Sequence, residues 1–203
     1  MSREPSERVV LNVGSGALEA SSVPAYFENW RQVRVDVDAT VKPDIVADLT
    51  DLSPIASGSA DAIWAAHCVE HLYEHQVRLA LAEFRRVLRD DGFVCVIVPD
   101  LQMVAQYVAE NRLHDPIYHS PAGPITAHDV FFGFGAAIAA GRTSMAHRCG
   151  FTPASLQRSF QQHPFGELLV RRRNASFELA AVARVTPAKD DADRAALMSA
   201  LGL

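Results

Sequence analysis

The feature that most constrains the fold is a short apolar run that ends in a glycine turn. Residues 9–13 are all aliphatic except Asn12, and Gly14-Ser15-Gly16 follows directly. Such a run is typical of a buried parallel strand that ends in a tight turn. Because glycine lacks a Cβ atom, two glycines also let a ligand approach the backbone closely. Taken alone, the turn fits an ordinary strand-to-helix connection equally well.

The rest of the first half repeats this pattern of short strands separated by helical segments. A short helix is predicted at 24–30, and strands at 33–37, 44–47, 61–66 and 93–98. Before the last strand, apolar residues recur at steps of four, three and four, at Val77, Leu81, Phe84 and Leu88. This spacing predicts an amphipathic helix that ends near Asp90-Asp91-Gly92. Strands that alternate with helices indicate an α/β fold with a parallel sheet and helices on both faces.

The second half is regular only in part. Helices are predicted at 102–112 and at 153–162, and two strands at 167–173 and 176–185 should form a terminal hairpin. Residues 190–203 fit either a short helix or a frayed end. The stretch 114–150 is rich in Gly, Pro, His and aromatic residues, and its weak periodicity predicts no regular element. With no repeat and no linker, we expect a single domain over 1–203.

Composition narrows the setting of the protein. At 203 residues and a formal charge of −5, the chain is not expected to present a broad nucleic-acid surface, although a local patch at Arg171–Arg173 stays open. The three cysteines form no CxxC pair, which favours reduced thiols in a cytoplasm. Residues 1–8 do not resemble a signal peptide, and no segment is long enough to span a bilayer. The sequence does not indicate an oligomeric state.

An acidic residue at the second strand points to an adenosine ligand. Asp36 follows Gly16 by 20 residues, where a carboxylate can accept hydrogen bonds from both hydroxyls of a ribose. Asp38 is its close rival, since residues two apart share one side of a strand. The dinucleotide-binding pattern requires a third glycine where this chain has Glu19, which disfavours NAD or FAD.

With these residues in place, the sequence resembles the class I S-adenosylmethionine-dependent methyltransferases. LNVGSG at 11–16 looks like their glycine-rich first motif and VDVDA at 35–39 like the acidic second. The resemblance continues through PDIVADLTDL at 43–52, GSADAIWAAHCVEHL at 58–72 and VLRDDGFVCVIVPD at 87–100. It implies a Rossmann-like, mostly parallel seven-stranded sheet with helices on both faces and a C-terminal antiparallel hairpin. The implied cofactor is S-adenosylmethionine.

The resemblance also implies a set of cofactor contacts. Gly14, Ser15 and Gly16 would line the methionine end, Asp36 the ribose, Val37, Asp48 and Leu49 the adenine, and His67 the wall beside the sulfonium. One departure is Asn12, which stands where many relatives carry an acid. Its amide can still form hydrogen bonds.

The methyl acceptor is expected over the carboxyl edge of the sheet, where the 114–150 segment could act as a lid or insertion. SPAGPITAHD at 120–129 and AHRCGFT at 146–152 resemble a subgroup of bacterial methyltransferases found among saccharide and cell-surface biosynthesis proteins. A small-molecule or saccharide-linked acceptor is therefore the leading hypothesis. Candidate bases are His67, His119, His128 and His147. Residues that could orient the acceptor are Tyr118, His119, Asp129 and Ser144.

Of three other hypotheses, the metal site is disfavoured and the other two stay open. His67, His71 and His75 are spaced by four, but the HExxH order is absent and no metal is predicted. A nucleotide-dependent oxidoreductase uses the same type of sheet. A non-catalytic S-adenosylmethionine-binding or partner protein would keep the fold without turnover.

Overall fold

A central sheet and a separate hairpin contain all the strands in the part of the chain that the computed structural model describes, residues 7–18, 23–120 and 122–203. The strands are β1 Val9–Val13, β2 Arg31–Asp36, β3 Ile45–Val46, β4 Ala60–Ala66, β5 Leu88–Pro99, β6 Pro116–Ser120, β7 Gly123–Thr126, β8 Glu167–Arg173 and β9 Glu178–Arg184. The sheet has seven strands in the order β3-β2-β1-β4-β5-β9-β8, and β6 pairs with β7 alone. Pairing is parallel from β3 through β5, whereas β9 runs antiparallel to both of its neighbours.

Helices cover both faces of the sheet, as predicted. They are α1 Glu74–Val87, α2 Leu101–Ala109, α3 Ala127–Phe132, α4 Gly135–Ala139, α5 Pro153–Gln161 and α6 Asp191–Ala200. Side chains of α1 and α5 pack in one core cluster, while α6 and the 3₁₀ turn Ala25–Phe27 pack in the cluster on the opposite face. A third cluster, from Val104, Ile125, Ala127 and Val130, joins α2 to the β6–β7 hairpin and α3.

The two-faced core follows directly from the strand sequences. In β4, Ile63 belongs to the α1 side and Trp64 to the α6 side, because successive side chains of a strand point to opposite faces. Both are buried, so the strand reads as a continuous apolar run and not as an alternating one. This is why short apolar runs were sufficient to predict the parallel part of the sheet.

Some predicted boundaries were wrong. Helix α1 ends at Val87 and not near 90–92, because β5 begins at Leu88. Leu88 pairs with Ala60 while Phe93 pairs with Ala62, so the intervening residues form a bulge inside the strand. Gly92 fits there because a Cβ atom would lie 2.9 Å from the Asp61 carbonyl oxygen.

Other elements differ in extent or were missed. The helix predicted at 24–30 is only the short 3₁₀ turn Ala25–Phe27, and the helix predicted at 102–112 is the shorter α2. Strand β9 begins at Glu178 and not at 176. The 114–150 stretch contains the β6–β7 hairpin, α3 and α4, although no regular element was predicted there. The terminal helix α6 forms because Leu197, Met198 and Leu201 are buried against the sheet. Among the described residues, every helix is too short or too polar to traverse a lipid bilayer.

Candidate cofactor and acceptor site

The glycine turn after β1 adopts a backbone that other residues avoid. Gly14 has φ +62° and Gly16 has φ +61°, both in the left-handed region. A Cβ atom on Gly14 would lie 2.3 Å from Cβ of Cys68, whereas a Cβ atom on Gly16 would meet nothing within 4 Å. The first glycine therefore lets the turn pack against the loop after β4, and the second leaves open space on the ligand side.

Asp36 ties this turn to the end of β2. One carboxylate oxygen, Oδ2, accepts a hydrogen bond from the Gly16 backbone N–H at 2.8 Å, and Oδ1 accepts one from the Asp38 N–H at 2.9 Å. Arg34 also donates from Nη2 to the Gly16 carbonyl oxygen at 2.6 Å. The turn and the acid that the sequence predicts as cofactor ligands thus lie together at the carboxyl edge of the sheet.

Asp38 has a different task. Its Oδ1 accepts hydrogen bonds from the backbone N–H of Thr40 at 2.8 Å and from Oγ1 of Thr40 at 2.6 Å, so it caps a 3₁₀ turn over residues 39–41. The Thr40 hydroxyl and N–H lower the pKa of this exposed carboxyl. Of the two rival acids, Asp36 is the one beside the glycine turn.

The predicted adenine contacts lie at the same edge. Val37 follows β2 directly, and 62% of its surface is exposed. Leu49 is buried, whereas Asp48 is exposed and binds the N–H and hydroxyl of Thr50 through Oδ1. The predicted Glu19 position lies outside the described residues.

His67 forms the turn at the end of β4 and is held by two carboxylates. Its backbone has φ +52°, and its Nε2 lies 2.9 Å from Oε1 of Glu178, while Nδ1 lies 3.5 Å from Oε1 of Glu70. Desolvation lowers the pKa of His67, but the hydrogen bond to Glu178 and the negative charges of Glu70 and Glu178 outweigh it and raise the pKa to about 10. Because both ring nitrogens face carboxylates, neither is directed at a methyl acceptor.

Glu178 links His67 to the C-terminal hairpin. Its Oε2 accepts hydrogen bonds from Arg173 Nη1 and from Ser176 Oγ, each at 2.7 Å. Burial raises the pKa of the Glu178 carboxyl, but His67, Ser176 and Arg173 together lower it below its usual range. Sequence reasoning missed Glu178, whose only local signal is an acid that opens an otherwise apolar strand. Arg173 was considered only as part of a local basic patch.

A second charged cluster lies beside His67. One potential metal-ligand atom from each of Glu70, His71 and His147 lies within 4.8 Å of the other two, the one group of this kind among the described residues. The His71 and His147 rings are 5.0 Å apart at their centroids. His75, which the sequence spacing grouped with His67 and His71, stacks on Tyr73.

Comparison with known proteins identifies the fold. Residues 11–96 match a protein-family model described as a methyltransferase domain. The matched residues are 86 of the 203, and the sheet has the architecture of class I S-adenosylmethionine-dependent methyltransferases. S-adenosylmethionine, the methyl donor of that family, is the cofactor that the sequence motifs predicted. A search of curated protein sequences found no significant match to this chain.

Solved structures of methyltransferases share the architecture. A S-adenosylmethionine-dependent methyltransferase from Methanosarcina mazei superposes with a TM-score of 0.56 at 14% identity, over 89% of this chain and 94% of its own. A second one, from Archaeoglobus fulgidus, superposes with a TM-score of 0.54 at 13% identity, over 88% of this chain and 86% of its own. A third structure is the Burkholderia thailandensis 1,6-didemethyltoxoflavin-N1-methyltransferase, solved with 1,6-didemethyltoxoflavin and S-adenosylhomocysteine. It superposes with a TM-score of 0.52 at 18% identity, over 89% of this chain and 72% of its own. At these identities the likeness shows the shared fold.

One predicted acceptor residue, Tyr118, lies near the charged groups of the site: burial and the charges of Glu178, Glu70 and Asp129 raise its pKa. Tyr118 is half-buried and stacks on Phe177, and His128 stacks on His114 and Phe132. Asp129 caps α3 by accepting hydrogen bonds from Thr126 and also binds the Gly135 N–H. His119 and Ser144 are exposed. Of the predicted bases, only His67 and His147 lie beside the Glu70 cluster.

Proposed function

We propose that this methyltransferase holds S-adenosylmethionine between the glycine turn and the loop after β4, and methylates a small-molecule or saccharide-linked acceptor. The observation that carries the proposal is the contact between the Gly16 N–H and Asp36. It fixes a glycine turn and an acid at adjacent strand ends, and ligands of open α/β sheets bind at this edge. The free state of the three cysteines is consistent with a cytoplasmic setting.

Each cofactor contact has a physical reason. Gly14 and Gly16 leave room for the methionine end, with Ser15 between them, and the Asp36 carboxylate would accept from the ribose hydroxyls. The exposed Val37 side chain would cover one face of the adenine, flanked by Asp48 and Leu49. His67, held by Glu70 and Glu178, would form a fixed wall beside the reacting methyl group.

Bound S-adenosylmethionine supplies a methyl group that its sulfonium activates. The main task of the protein is therefore to position the donor and the acceptor. Methyl transfer is an in-line displacement, and fixing donor and acceptor in one line accounts for much of the catalysis. His67 serves as a positioning residue in this scheme, since both of its ring nitrogens are engaged by carboxylates. His128 and His147 remain the candidate bases for an acceptor that must lose a proton.

The acceptor would lie under the 114–150 segment, which acts as the lid of a single domain over 1–203. Packing of α2 against the β6–β7 hairpin and α3 holds this segment beside the site. Tyr118, His119, Asp129 and Ser144 are its candidate acceptor contacts. The small heterocyclic acceptor in the B. thailandensis structure supports a small-molecule substrate, because that enzyme shares the fold.

Calorimetric titration with S-adenosylmethionine, S-adenosylhomocysteine and NADH tests the cofactor half. We expect both sulfur ligands to bind and NADH not to. Asp36→Asn should weaken binding about tenfold or more, since a hydrogen bond to a charged group contributes about 1.5–3 kcal/mol. Asp38→Asn is the matched control, because this acid lies two residues away and caps a turn.

Thermal unfolding of both variants shows whether the loss reflects binding or folding. Equal weakening in the two variants would contradict the role of Asp36, and NADH binding would favour an oxidoreductase. If S-adenosylmethionine binds but no S-adenosylhomocysteine forms with a broad acceptor panel, a non-catalytic binding protein becomes the better description.

A further inference from the structure

The cluster beside His67 contains a buried carboxylate that the protein does not satisfy. Glu70 is 1% exposed, and neither of its carboxylate oxygens accepts a hydrogen bond from any described residue. Nδ1 of His67 lies 3.5 Å from Oε1 of Glu70. A buried carboxylate normally has hydrogen-bond donors or a bound cation, because removing its charge from water is costly.

Two histidines lie near this carboxylate, and in each ring Nδ1 already has a hydrogen-bond partner. Nδ1 of His71 lies 3.1 Å from the Ala146 carbonyl oxygen, and Nδ1 of His147 lies 2.8 Å from the Val130 carbonyl oxygen. A carbonyl oxygen can only accept, so Nδ1 carries the proton in both rings. The lone pair of each neutral imidazole is then on Nε2. This arrangement, in which a backbone carbonyl orients the ring, is common for histidines that bind metal ions.

The backbone around the cluster is fixed from both sides. The N–H groups of Arg148 and Cys149 both donate to the Glu70 carbonyl oxygen, at 2.9 and 3.2 Å. On the other side, the His147 N–H donates to the Phe132 carbonyl oxygen at 3.1 Å. A Cβ atom on Gly133 would lie 2.0 Å from the Met145 carbonyl oxygen, so the end of α3 and the backbone at Met145–Ala146 pass in close contact. The three side chains are therefore brought together by a rigid local framework.

We propose that Glu70, His71 and His147 form a binding site for a divalent transition-metal ion, with Zn²⁺ as the first probe. Two imidazoles and one carboxylate are a donor set that zinc accepts, and three protein ligands leave a fourth position open for water or another oxygen ligand. In a tetrahedral zinc site, ligand atoms are about 3.3 Å apart. The observed limit of 4.8 Å thus requires only small side-chain movements. Glu70 also faces His67, and a bound ion would occupy the lone pair that His147 would need as a base, but Zn²⁺ binding itself can be measured without the methyl donor.

The test uses the 203-residue chain, stripped with a chelator and titrated with Zn²⁺ against a chromophoric competitor. We expect one ion per chain. His147→Asn should weaken Zn²⁺ binding by roughly a hundredfold, because it removes a ligand atom from a set in which even supporting groups are worth 10–100-fold. Asparagine is chosen because its amide nitrogen can take the place of Nδ1 and keep the hydrogen bond to Val130. Glu70→Gln, with the same volume and no charge, should weaken binding to a similar extent.

His75→Asn is the matched control, since this histidine is near in sequence but stacks on Tyr73 outside the cluster. It should leave the affinity unchanged. Circular dichroism and thermal unfolding verify that each variant is folded. If a variant does not fold, Co²⁺ bound to the unmodified protein supplies the answer: visible d–d bands without a thiolate charge-transfer band support nitrogen and oxygen ligands.

Three outcomes would overturn the proposal. The first is the absence of saturable Zn²⁺ binding, which would leave Glu70 as the partner of His67 alone. The second is an affinity that is unchanged in His147→Asn and Glu70→Gln or equally reduced in His75→Asn. The third is a thiolate band with Co²⁺, which would move the ion to a cysteine such as Cys149.

Discussion

The two walls of the proposed cofactor site are built by different means. The wall from β1 and β2, called the backbone wall here, is shaped mainly by the main chain. It contains two left-handed glycines, an exposed valine and one acid that binds backbone N–H groups. The wall after β4 consists of charged side chains, in which Arg173, Glu178, His67 and Glu70 alternate in sign. The first wall depends on glycines that have no Cβ atom, and the second depends on contacts between residues distant in the chain. Substitutions should therefore act on the two walls in different ways.

The largest effect is expected on the backbone wall, for Gly14→Ala. The new Cβ atom would meet Cys68 at 2.3 Å in a left-handed backbone, and overpacking together with backbone strain should reduce the free energy of unfolding by about 3 kcal/mol. Gly16→Ala introduces the same strain into open space and should cost about 1 kcal/mol. Urea unfolding of both variants measures the difference. Equal losses would mean that the contact with Cys68 does not determine the turn.

A smaller loss of stability is expected on the charged wall, for Glu178→Gln. The change removes the charged acceptor of His67 and Arg173, and should lower the free energy of unfolding by about 2 kcal/mol. It should also weaken S-adenosylmethionine binding, because His67 loses its anchor.

Glu167→Gln is the control for that variant. Glu167 lies in the same hairpin, its side chain is 11% exposed against 12% for Glu178, and it pairs with Arg194 away from His67. It should reduce stability without changing the affinity for S-adenosylmethionine. A matching loss of affinity in calorimetry would show that the hairpin as a whole, and not the His67 contact, supports the site.

The smallest effect is expected for Val37→Ser, which leaves the fold of the backbone wall intact. If Val37 covers the adenine, loss of this apolar contact should raise the Kd for S-adenosylmethionine about fivefold, equivalent to about 1 kcal/mol. Val108→Ser, at another exposed valine on α2, should not change the Kd. The comparison of the two Kd values decides whether Val37 is exposed for the ligand.

The backbone wall could be predicted from sequence because its determinants are local. The apolar run, the glycine turn and Asp36 fall within one strand–turn–strand unit, and each imposes its own constraint on φ or on packing. The sequence favoured Asp36 over Asp38 as the ribose ligand, although both acids share one side of the strand. The hydrogen bonds to Gly16 and to Thr40 distinguish them.

The charged wall could not be predicted, because its contacts join distant segments. His67 and Glu178 are 111 positions apart, and no periodicity relates them. His147 lay in the stretch where no regular element was predicted, and its position depends on α3 and on the carbonyl of Val130. A spacing rule instead grouped His75 with His71, although a helix start after Tyr73 turns His75 away from the cluster.

The reversed direction of β9 has a consequence for the order in which the protein is made. Because β9 runs against β5, its first residue lies at the edge where the parallel strands end, and Glu178 reaches His67 from there. A ribosome releases β1 to β5 long before this strand. The nascent chain therefore carries the glycine turn and Asp36 early, but His67 gains its second carboxylate only when the last hairpin has emerged. The charged wall is thus completed only after β9 has been synthesised.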